Sequence, residues 1–186
     1  MKAVALLPLL AAIVLTGCIT SKTPVGDKVP RLEPGVWNAK WQSGDGGTVR
    51  TRVKDAKLGI VTMSKSHPWF HRGEPVRDVY IRLLGPYTVA NEKLAEHSFD
   101  FGRISIDNDH LVVFAANELT FQKLVARHQI AGKAEKDEHG KPTGSFTIEG
   151  FSDKDYRRLK RERFDMHSLF KDDPSMVLIR HKCCLF

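Results

Sequence analysis

Cysteine is scarce in this 186-residue chain: there are three, and two of them, Cys183 and Cys184, are neighbours. Neighbouring Cα atoms lie about 3.8 Å apart, short of the usual disulfide span, so no framework of bridges holds the fold. Long hydrophobic runs are also missing. The longest, roughly 13 mostly apolar residues over positions 3–15, falls short of the roughly 20 that a spanning helix needs. No serine occupies a nucleophile elbow, and no H-E-x-x-H places two zinc ligands and a base on one helix face. Gly44, Gly46 and Gly47 lead into a strand, so they lack the helix N-terminus of a phosphate cradle and suit a hairpin turn. Asp107, Asn108 and Asp109 lack the spacing and closing glutamate of a calcium loop and read as a turn. With these signatures absent, no catalytic residue and no cofactor is expected, and the function class is binding or scaffolding rather than catalysis.

What is present begins at the N-terminus. Lys2 precedes the short apolar run, which closes on Leu15-Thr16-Gly17-Cys18, with small residues at a cleavage point. This run resembles the lipobox of bacterial lipoprotein precursors. The resemblance covers about the first 20 residues and implies a signal peptide at 1–17, cut before Cys18, whose thiol takes a diacylglycerol. Each buried methylene of such an anchor contributes about 0.8 kcal/mol, and two or more chains hold a protein stably to a membrane. Ile19 is not the aspartate that resembles an inner-membrane retention signal. The implied address is therefore the outer membrane of the bacterial envelope, facing the periplasm. Cys183-Cys184-Leu185-Phe186 has the form of a prenylation box, but that chemistry is cytosolic and eukaryotic and contradicts an exported lipoprotein.

Residues 18–34 contain Pro24, Pro30, Pro34 and Gly26 and read as a lipidated N-terminus and extended tether, with the folded region at 35–186. The formal net charge of +7 falls by one when Lys2 leaves with the signal. A basic protein at a membrane surface meets anionic lipid, acidic glycans or acidic partners, and an envelope address leaves nucleic acid out. The expected contacts are the membrane through the lipid, and an envelope protein, anionic lipid or glycan.

Within the folded region, residues 35–109 read as mostly β. Runs at 36–41 and 48–53 flank the glycine-rich hairpin signal, and Val49, Thr51 and Val53 alternate with Arg50, Arg52 and Lys54. Further strands are expected at 58–63, 76–84 and 99–106. Trp37 and Trp41, four apart on an expected strand, share one face, as core or as an aromatic platform for a glycan or lipid.

Residues 110–182 carry a repeat: Asn117, Phe121 and Leu124 recur 35 residues later as Ser152, Tyr156 and Leu159. Each copy follows a β-rich run (111–115 and 145–149), so each reads as a strand feeding a capped helix. Ser152 and Asp155 have the form of a capping box. A polar turn between 129–135 and 144–150 suits a hairpin, and 176–179 reads as a final buried strand. The expected fold class is α+β, an antiparallel sheet with two helices whose C-terminal half follows the ferredoxin-like order β-α-β-β-α-β.

Two groups of residues carry candidate chemistry. His67, His71 and Glu74 offer three zinc donors for a lipid-tethered metal-dependent hydrolase, although Pro68 and Pro75 break the segment. Arg157, Arg158, Lys160, Arg161 and Arg163 concentrate five cations in seven residues, as a solvated helix face or as a contact for an anionic surface. A third reading makes the β-rich half a carrier of an apolar ligand.

Overall fold

The structure, a computed structural model, describes residues 19–66, 75–107, 109–136, 139 and 142–181. Among the described residues eleven strands form one connected sheet. In chain order they are β1 (Ile19–Ser21), β2 (Ala39–Ser43), β3 (Thr48–Asp55), β4 (Ile60–Ser66), β5 (Arg77–Leu84) and β6 (Tyr87–Ala95), then β7 (Ser98–Ile106), β8 (His110–Ala115), β9 (Gly132–Lys136), β10 (Pro142–Ile148) and β11 (Met176–Arg180). Three short helices, α1 (Pro34–Trp37), α2 (Glu118–Ala126) and α3 (Asp153–Arg161), and a 3₁₀ turn at Met166–Leu169 complete the elements.

Strands β2 to β8 run as an antiparallel meander, each paired with the next. Strand β11 then returns between β8 and β2 and closes eight strands into a barrel. Closure removes the exposed edges that an open sheet would leave. The three remaining strands hang from β7, whose second edge is shared. Its stretch from Gly102 to Ile106 pairs with β8, and Phe99 pairs with Ser21 of β1. Strand β1 runs parallel to β10, and β9 and β10 form the expected hairpin.

This architecture overturns the expected α+β fold and its ferredoxin-like half. Local elements of the repeat are as read: Asn117 caps α2, Ser152 and Asp155 make a full capping box on α3, and Phe121, Leu124, Tyr156 and Leu159 are buried. The strands, however, never form one split unit. Strand β8 belongs to the barrel wall, β10 lies in the flap beside β1, and β11 joins β8 to β2. A ferredoxin-like sheet would leave edges; the long-range β11–β2 pairing consumes them, and two nine-residue helices cover only one side.

Alternation along the strands builds two cores. On β3 the side chains of Val49, Thr51 and Val53 turn into the lumen while Arg50, Arg52 and Lys54 face solvent, where Lys54 pairs with Asp78 at 2.7 Å. Trp37 of α1, Leu32 and Trp41 fill one end of the lumen. The second core lies outside the wall. Leu84, Val89 and Phe101 point outward and are covered by α2, α3 and the flap, with Phe121 edge-on between Phe101 and Phe151.

Residues 22–32 lie along the wall rather than away from it. Val25 is fully buried and Asn91 clamps its backbone, while Lys28 bridges to Leu83. Among the described residues no helix is long and apolar enough to cross a membrane.

Candidate functional site

Closed eight-stranded barrels have a bore that side chains just fill or that holds one small ligand. In this barrel the filling is incomplete. A void of about 60 Å³ lies in the lumen. Its walls are aliphatic and aromatic, from Trp37, Val61, Val79, Ile104, Leu111 and Leu178, and only Thr51 and Glu92 bring polar atoms to it. The Thr51 hydroxyl is already committed: it accepts from Trp41 Nε1 at 2.9 Å and donates to the Trp37 carbonyl.

The size of the void constrains what fits. It is smaller than the roughly 150 Å³ that admits a benzene ring, and holds roughly four waters or a short aliphatic segment. An apolar wall of this kind disfavours water. Met63 and Met176 line the void, and their flexible thioether chains allow it to widen at low cost. At about 24 cal/mol per Å³, an unfilled void of this volume costs about 1.5 kcal/mol of stability.

One end of the lumen is charged. It lies toward the β6–β7 connection. Glu92 on β6 stands directly opposite Asp100 on β7, so both carboxyl groups turn to the same face, and each residue is only 3% exposed. Arg77 of β5 makes an ion pair with Glu92. Asp100 has no cation partner among the described residues. Burial pushes its carboxyl up to about 8; the Glu92 charge adds to the shift, and a hydrogen bond from the Phe101 N–H opposes it. At neutral pH Asp100 is therefore mostly protonated and presents an O–H donor inside the barrel.

Neither Glu92 nor Asp100 is conspicuous in the sequence. The signal for Asp100 is an acid between Phe99 and Phe101 on an alternating strand: if the two rings face one core, the acid faces the other. Glu92 lies on β6, which sequence patterning does not reveal.

Of the residues singled out from the sequence, Cys18, His67, His71 and Glu74 lie outside the described residues. No cluster of three metal-binding side chains occurs among the described residues. Trp37 and Trp41 are both buried, so they serve as core and not as an exposed platform. Trp37 reaches that core from α1, not from the expected strand.

The basic group on α3 divides. Arg157, Lys160 and Arg161 are exposed and, with Lys154, line a shallow surface depression. Arg158 turns inward instead: its guanidinium donates to the Gln129 carbonyl and pairs with Asp155 at 3.1 Å. Arg163 is exposed just past the helix in a left-handed conformation, φ 59°. Arg157 also lies 4.0 Å from Asp153, the i, i+4 pair read from the sequence. No family model, curated protein or solved structure matches this chain.

Proposed function

We propose that this protein is a binding protein of the bacterial envelope, anchored through lipid on Cys18, whose barrel takes a slender aliphatic group into its lumen. The observation that carries the proposal is the apolar void: a closed wall surrounds about 60 Å³ that no side chain fills. A buried void forfeits dispersion contacts with its lining, and a guest of matching shape restores them. The two methionines suit a guest larger than the resting volume. The anchor assignment rests on the Leu15-Thr16-Gly17-Cys18 run.

Methionine placement supplies the test. Once the signal is removed, the chain keeps Met63, Met166 and Met176; the first and last line the void, while Met166 belongs to the outer core. In the chain from residue 18, left unacylated by Cys18→Ser and labelled at methionine methyls, hexane is expected to shift the NMR signals of Met63 and Met176 and leave Met166 in place. Unmoved Met63 and Met176 signals at saturating hexane refute the proposal.

A further inference from the structure

We infer that the flap of β1, β9 and β10 is the membrane mount of this protein: the short connection to the lipid holds the outer face of the flap against phospholipid head groups and fixes the orientation of the barrel. The inference rests on the Cys18 anchor proposed above and is independent of the lumen. The fold leaves no slack after that anchor. Ile19, the residue bonded to Cys18, already belongs to β1 and is fully buried, with Phe146 of β10 as its parallel partner. Ser21 is fully buried as well and pairs with Phe99 of the barrel wall, and the Lys22 N–H donates to the Ile148 carbonyl at 3.0 Å. One peptide unit separates neighbouring Cα atoms by about 3.8 Å, and the head-group layer is about 5–8 Å deep, so acyl chains seated in hydrocarbon bring the first residue of the sheet to that layer.

The register of the flap sets how it meets the bilayer. Because β1 and β10 are parallel, the chain enters β1 at the same end at which β10 begins and β9 finishes. Pro142 opens β10 well before Phe146, so this hairpin end reaches up to about 13 Å beyond the level of Ile19. An upright flap would push the connection at 137–141, which carries Asp137, Glu138 and Lys141, below the head groups. Charged side chains are costly in hydrocarbon, so the flap lies along the surface instead.

One face of the flap is already taken, since Ile19, Phe146 and Ile148 turn into the outer core. Alternation places Thr20, Lys133, Glu135 and Thr147 on the other. There the Thr20 and Thr147 hydroxyls lie 3.1 Å apart, and Thr147 donates to Glu135 Oε1 at 2.5 Å. Lys22 and Glu149 continue this face as an ion pair at 2.8 Å. Among the described residues no large apolar side chain is exposed on the flap, which suits a wet head-group layer and not an obligate protein interface. Two lysines stand against two glutamates, so the face matches zwitterionic lipid and makes no demand for anionic lipid.

The experiment uses the full acylated protein, carrying Cys183→Ser and Cys184→Ser, in phosphatidylcholine vesicles with a nitroxide on a fraction of their head groups. A bimane fluorophore is attached at Lys133→Cys or at Arg50→Cys; Arg50 faces solvent on β3, which lies opposite β7 across the barrel. The nitroxide lipid is expected to quench position 133 about threefold more than position 50, with or without added phosphatidylglycerol. A flexible Gly-Ser linker of about ten residues inserted between Cys18 and Ile19 spans about 17 Å and is expected to bring position 133 down to the level of position 50. In protein that floats with the vesicles, equal quenching at the two positions, or quenching at 133 that the linker leaves unchanged, overturns the mount and leaves the anchor standing. Protein that carries no acyl chain by mass and fails to float overturns the anchor and this inference together.

Discussion

Asn91→Ala tests the way the N-terminal segment is held. The Asn91 side chain is fully buried on the outer face of β6 and acts as a clamp. Its Oδ1 accepts from the Val25 N–H at 2.6 Å, and its Nδ2 donates to the Val25 carbonyl at 3.2 Å and to the Tyr80 carbonyl at 3.1 Å. Val25 is itself fully buried, so truncation to alanine strands both of its backbone groups away from water. A stranded buried group costs about 1–3 kcal/mol. Two such groups, with partial relief as the segment lifts, set the expected loss at about 3 kcal/mol. For a chain of this size the urea slope is about 2 kcal/mol per molar, so the unfolding midpoint falls by about 1.5 M. The assay is urea unfolding of the unacylated chain from residue 18, followed by tryptophan fluorescence, with amide hydrogen exchange read over residues 22–27. Faster exchange confined to that segment and the β5–β6 wall is expected. A midpoint shift below about 0.3 M, or unchanged exchange at Val25, refutes the clamp.

Two further outcomes follow from other buried or half-buried charges. The unfolded carboxyl of Asp100 titrates near 3.8 and the folded one at about 8, so between these values unfolding releases a proton and stability falls as pH rises. The slope from this one group is at most about 1.4 kcal/mol per pH unit. Asp100→Asn removes it, so the stability of the variant relative to the parent increases from pH 5 to pH 8 in urea titrations; parallel profiles refute the assignment. On α3, Arg158→Ala loses bonds to Gln129 and Asp155 and is expected to cost about 1 kcal/mol, reduced by partial exposure, whereas Arg161→Ala stays within about 0.5 kcal/mol. Equal effects in thermal unfolding count against the division of the basic group.

Much of the local structure is legible from residues close in sequence. The β3 strand shows its alternation plainly because one face meets solvent. Helices α2 and α3 announce themselves through Asn117, Ser152 and Asp155, since caps are satisfied within three residues. Strand β6 is not legible in the same way. Both of its faces are covered, and it buries the polar Asn91 and Glu92 beside Val89, so the pattern of alternating polar and apolar positions is lost. The same double burial gives β7 a nearly continuous buried run from Phe99 to Gly102. Residues 36–41 read as one strand, yet Pro34 starts a helical turn through Trp37 before β2 begins at Ala39, because proline presets the first helical dihedral.

By itself the sequence determined the position of most strands, the two helix caps and the basic character of α3, because each depends on residue type over a few neighbouring positions. The proposed anchor at Cys18 likewise rests on the first residues alone. Only the tertiary structure decided that the strands close into a barrel, since that depends on β11 pairing with β2 across more than a hundred residues of chain. The β6–β7 register sets Glu92 against Asp100 and turns both toward an apolar lumen, where Arg77 pairs with Glu92. A carboxyl group in a linear pattern is a solvated charge by default; register and burial made these two a buried acidic pair.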